Sequence, residues 1–126
     1  MYDNPLVITY DFGSSNFATP ATATSFKGPP GKVGKIVDIG VRVTTLFTNV
    51  TTAGAMAVGT SADADAYALL QMGAAAATDF WNVQDDPDAI INDTLPANTQ
   101  IEVTFVAPTG GTPAGVGVPQ ITVAWY

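Results

Sequence analysis

Glu102 is the single glutamate of a chain with no histidine and no cysteine. Without His, the commonest general base and the commonest transition-metal ligand are missing. Without Cys, thiolate nucleophiles, zinc–thiolate sites and disulfides are excluded. A glycosidase needs two carboxylates facing each other across a sugar. Glu102, Asp38 and Asp11 each fall on the polar side of an alternating segment, where ordinary solvation explains them. No G-x-S-x-G elbow and no H-E-x-x-H motif occurs, and Gly110-Gly111 lacks the helix pattern and lysine of a phosphate cradle. The expectation is a protein that is not an enzyme, with no catalytic residue and no bound cofactor.

Metal chemistry rests on Asp63, Asp65, Asp79, Asp85, Asp86, Asp88 and Asp93, seven of the eleven acidic residues within 31 positions. A hard cation such as Ca²⁺ wants several oxygens converging from loops, and Asp85-Asp86-Pro87-Asp88 could supply two or three. The EF-hand spacing is absent, and short Asp runs ordinarily build turns and helix starts. No metal site is therefore expected. The four basic residues, Lys27, Lys32, Lys35 and Arg42, cluster away from the acidic stretch. That asymmetry could steer docking, although lysines also protect sheet edges from unwanted pairing. A net charge of −7 disfavours nucleic acid, whose phosphates call for Lys and Arg.

Tyr10, Phe12, Phe47, Phe105 and Trp125 lie on apolar faces and read as core. Phe80-Trp81 sits between an alanine run and an acidic turn. An exposed Trp81 could stack on a sugar or anchor a protein contact, while burial is the simpler reading. Asn49-Val50-Thr51 and Asn92-Asp93-Thr94 fit the glycosylation pattern but carry no weight without a secretion signal.

The elements that position these residues are strands. Residues 6–12 alternate, with Leu6, Ile8, Tyr10 and Phe12 on one face. Residues 23–27 form a short edge strand, followed by a Pro29-Pro30-Gly31 corner. Over residues 32–49, Val37, Ile39, Val41, Val43, Thr45 and Phe47 share one face, and a bend or a change of strand is expected near Thr44-Thr45. Residues 55–59 suit a buried strand. For residues 61–72 the alanines, leucines and early aspartates predict one short helix, with a strand over 67–72 as the alternative. Residues 74–77 are an alanine run in a loop or one more turn. Residues 80–83 and 89–91 are short strand candidates around the Asp85-Asp86-Pro87-Asp88 turn. Residues 100–107 and 120–126 are strands flanking a turn-rich loop, and antiparallel pairing between them is expected.

Seven or eight short strands with at most one helix predict a single all-β domain over residues 1–126, an antiparallel, jelly-roll-like β-sandwich. The chain has 47% hydrophobic and only 12% charged residues, with twelve Gly and nine Pro. That balance supplies a core and many turns, and it hints at a surface partly covered by a partner. No apolar run approaches the roughly 20 residues that span a bilayer. Residues 1–12 lack a basic n-region and a long apolar h-region, so synthesis in a cytoplasm without export by that route is expected.

Three segments together carry a likeness: Gly34-Lys35-Ile36-Val37-Asp38-Ile39-Gly40-Val41; the stretch from Ala57-Val58-Gly59 through Asp63-Ala64-Asp65 to Tyr67; and Val103-Thr104-Phe105 running through Gly110-Gly111 into Ile121-Thr122-Val123-Ala124-Trp125-Tyr126. Over about residues 32–126 the chain resembles small tailed-phage virion proteins that decorate or cement capsids. The resemblance implies a β-sandwich or jelly-roll module on the capsid surface, a homotrimer bound to the major capsid protein. It brings no functional residues with it. The alternative is a carbohydrate-binding β-sandwich of a receptor-binding or fibre component, which needs an exposed aromatic such as Trp81.

Overall fold

A computed structural model describes residues 4–17, 22–48, 52–73, 79–110 and 114–126. Ten strands run through them: β1 (Leu6–Asp11), β2 (Ser15–Asn16), β3 (Thr22–Phe26), β4 (Gly34–Thr48), β5 (Ala55–Gly59), β6 (Ala68–Gln71), β7 (Phe80–Asn82), β8 (Thr94–Leu95), β9 (Ile101–Val106) and β10 (Ala114–Trp125). One sheet has the order β1-β10-β4-β7, with β2 beside β10 and β8 beside β4. The other has the order β3-β9-β5-β6, and every pairing in both is antiparallel. The result is an all-β sandwich, and no described residue is helical.

Most positions of the alternating segments face as expected, Leu6, Val37 and Thr45 being exposed instead. Ile39, Val41, Val43 and Phe47 of β4, Ile121, Val123 and Trp125 of β10, and Ile101, Val103 and Phe105 of β9 meet in one core. Met56 and Val58 of the fully buried β5 join them. An aromatic seam closes the side where β1 faces β3. Tyr10 stacks on Phe26 at 4.4 Å, Phe12 reaches Phe26 and Phe105, and Phe17 packs on Phe105 and Phe47. Beside the seam the Trp125 indole Nε1 donates to the Tyr10 hydroxyl at 3.0 Å. Its ring lies across Gly34, where a Cβ would stand 2.7 Å from Cζ3, so only glycine leaves the indole its place.

β4 departs from strict alternation. Val37 is 53% exposed and Ile36 is 3% exposed, the reverse of the expected faces. Thr122 pairs with Asp38 while Val123 pairs with Ile36, so Val37 is an extra residue. Such a β-bulge flips the parity of the strand on one side of it. A second register shift falls between Val43 and Thr45, opposite Gly117 and Val116. The irregularity expected at Thr44-Thr45 is thus a bulge within one continuous strand.

Three further expectations are corrected. Residues 61–72 are a turn followed by β6, in which Ala68 and Leu70, with Met72 beyond it, are buried at period two against β5. Pairing outweighs the helix propensity of alanine and leucine. Second, β9 and β10 do not form a hairpin. β9 lies between β3 and β5, and β10 lies between β1 and β4, so their connection crosses from sheet to sheet. Third, β10 begins at Ala114 and passes straight through Pro119. The Pro119 carbonyl accepts from Phe12 N–H at 3.0 Å. Its missing N–H therefore falls on the same flank, toward the Phe12 carbonyl, so only the reciprocal bond just past the end of β1 is lost and the side facing β4 is untouched. Residues 89–91 make a single bridge, Ala68 to Ile90. Residues 74–77 and the Asn49-Val50-Thr51 triplet lie outside the described residues.

Candidate functional surfaces

The acidic stretch is built into the backbone. The Asp86 carboxylate accepts from Gln71 N–H at 2.9 Å, and the Asp85 carboxylate accepts from Asn82 N–H at 3.1 Å. The Asp63 carbonyl accepts from the Thr60 and Ala66 amides, and Asp63 N–H donates to Thr60 Oγ1. Asp63 and Asp85 thus close turns, the role in which short Asp runs are ordinarily found, and Asp86 ties the 82–86 turn to β6. Among the described residues no three acidic side chains converge to hold a metal ion. The basic and acidic regions meet where exposed Lys35 of β4 lies 3.8 Å from Asp93 before β8.

Residues 80–95 close the side of the sandwich opposite the aromatic seam. They leave the first sheet at β7, bridge β6 of the second sheet at Ile90, and return to the first at β8. Trp81 pairs with Val41 and turns inward with it. Its Nε1 donates to the Gln71 carbonyl at 3.0 Å, and its ring packs against Gly73. The residue picked out for sugar stacking is therefore a tie between the two sheets. Its neighbour Phe80, 44% exposed, lies on the outer face over Gly40. The signal was present in the sequence: Trp81 and Val83 alternate with polar Asn82, which marks the inward pair.

The core itself offers no polar chemistry. Among the described residues no charged or polar side chain is buried, and no buried side-chain nitrogen or oxygen lacks a partner. The Tyr10 phenol is raised above its ordinary value of 10.0 by burial, against the lowering effect of the Trp125 hydrogen bond.

The outer faces differ from each other. On the first sheet, Thr9 and Thr122 share a hydroxyl contact at 2.9 Å, with Asp11, Gln120, Asp38, Lys35 and Arg42 nearby on the ladder. On the second sheet three rows follow from the register: Val106-Ala55-Gln71, Ala23-Thr104-Ala57-Leu69 and Ser25-Glu102-Gly59. Glu102 is the only charged residue in those rows. Ala55, Ala57 and Gly59 at its centre are themselves buried, Gly59 beneath the backbone of Asp63 and Ala64, so the face presents chiefly Ala23, Ser25, Glu102, Thr104, Val106, Leu69 and Gln71.

These features define a class, an all-β sandwich with an apolar core and a charge-poor outer sheet face. Compared with known proteins, the chain matches no protein-family model, no curated protein and no solved structure.

Proposed function

We propose that this protein is a non-enzymatic structural module of a tailed phage, decorating or cementing the capsid surface by binding the major capsid protein, as a homotrimer. The observation that carries the reading is the outer face of the β3-β9-β5-β6 sheet, three rows of uncharged residues with one carboxylate, whose exposed part lies on β3, β6 and β9. Depletion of charge is the compositional mark of the centre of a protein–protein contact. The turn-building roles of Asp63, Asp85 and Asp86 and the absence of His and Cys support contact work over catalysis. Many copies on a lattice multiply a modest contact into a large gain for the shell. The likeness of residues 32–126 to capsid decoration proteins points the same way.

The test is co-sedimentation of the purified chain with undecorated capsids, using Ala23→Asp and Thr104→Lys, at exposed and half-buried positions of one row, to charge that face. Saturable binding that both substitutions abolish is expected. Absence of the native chain from the capsid pellet overturns the reading.

A further inference from the structure

The β1 edge of the first sheet is built for pairing, and we propose that its occupant is the β1 edge of a second copy of this chain, joined antiparallel about a two-fold axis at Thr9. β1 pairs only with β10, in an unbroken register from Leu6–Trp125 to Asp11–Gln120. The bond from Phe12 N–H to the Pro119 carbonyl sets the phase of that ladder. By alternation, Leu6, Ile8 and Tyr10 direct their backbone groups to β10, while Val7, Thr9 and Asp11 direct theirs away from it. Among the described residues those outward groups have no backbone partner.

Natural sheet edges are ordinarily blunted by lysine, proline, a bulge or a covering segment. Between Leu6 and Asp11 there is no lysine, no proline and no bulge. By contrast, the β6 edge of the other sheet is covered: Leu69 N–H donates to the Ala89 carbonyl, and the Tyr67 carbonyl accepts from Ile91 N–H.

The edge is complementary to itself in one register. With Thr9 opposite Thr9 of the second copy, Val7 meets Asp11 and Asp11 meets Val7, so all the outward backbone groups face partners. Asp11, the only charge in β1, never lies opposite its own counterpart, which removes the like-charge penalty of a directly facing pair. Leu6, 50% exposed in the single chain, comes to lie opposite Phe12 of the second copy. The Thr9–Thr122 hydroxyl contact then extends into a row of four threonines across the joined sheets. A self-facing patch of this kind is isologous and closes at two copies, so it joins two chains, or two of the trimers proposed above into six, and is not the trimer contact itself. The inference stands on the edge alone and does not depend on the capsid reading.

The chain has no cysteine, so one introduced thiol reports the contact. In Thr9→Cys the facing Cα atoms lie about 5.5 Å apart in a hydrogen-bonded pair, within disulfide reach. In Thr122→Cys the thiols are three strand spacings apart, about 14 Å, and out of reach. Under mild oxidation Thr9→Cys should run as a two-chain species and Thr122→Cys should not. Light scattering should give an even number of chains for the native protein and half that number for Thr9→Lys, with an unchanged circular dichroism spectrum. A Thr9→Cys that stays single, equal cross-linking of both variants, or a Thr9→Lys mass equal to the native one overturns the proposal.

Discussion

Trp125 and Tyr10 hold the seam side of the sandwich through one hydrogen bond, and that bond sets two measurable properties. The indole is 1% exposed and its N–H has the Tyr10 hydroxyl as acceptor. Tyr10→Phe leaves a buried donor unpaired and should cost about 1–3 kcal/mol, read from denaturant melts at neutral pH. Burial also makes the folded phenol hold its proton more tightly than the unfolded one. Its contribution is complete below the ordinary phenol pKa and is lost as pH rises through the raised folded value. Above about pH 10 the native chain should therefore lose stability more steeply than Tyr10→Phe. Parallel pH profiles would contradict this assignment. Trp81 is the matching residue on the opposite side of the sandwich. Trp81→Ala removes a half-buried indole and the partner of the Gln71 carbonyl, and should cost about 3 kcal/mol in urea melts. In a glycan-binding assay the native chain and Trp81→Ala should give the same blank result.

At the scale of elements, period-two patterning carried most of the fold. β1, β4, β5 and β9 lie where alternation or apolar runs placed them, and the faces of β9 are as read. The failures have separate physical causes. The Val37 bulge leaves no trace in hydrophobicity, because Ile36 and Val37 are equally apolar and only the partner strand decides which is buried. β6 falls within the strand offered as the alternative over residues 67–72; the helix propensity of alanine and leucine, competing with their value in a buried strand, had favoured the helix. The expected β9–β10 hairpin failed because loop length constrains which strands are neighbours without fixing which sheet they join. The bulge gives a sharp contrast. Ile36→Ala should cost about 2–5 kcal/mol, whereas Val37→Ala should fall within about 0.5 kcal/mol of the native chain. Comparable losses at both positions in chemical denaturation would remove the bulge.

For the whole molecule, the sequence excluded much chemistry by residue type but did not locate a surface. Missing His and Cys are facts of composition. The neutral outer face of the second sheet required knowing that Ala55, Ala57 and Gly59 lie beside Thr104, Glu102 and Leu69, a matter of strand register between distant segments. For Trp81 burial was the simpler reading, and its pairing with Val41, which turns it inward against the core, agrees with it. The structure thus turns a chain defined by absent chemistry into one with a particular face to offer. The most direct measurement of that claim is calorimetry of undecorated capsids with and without the protein. Capsids that melt at a higher temperature, with the effect saturating at a fixed copy number and lost with Ala23→Asp, are the predicted result. Superimposable melting curves at saturating protein would contradict it.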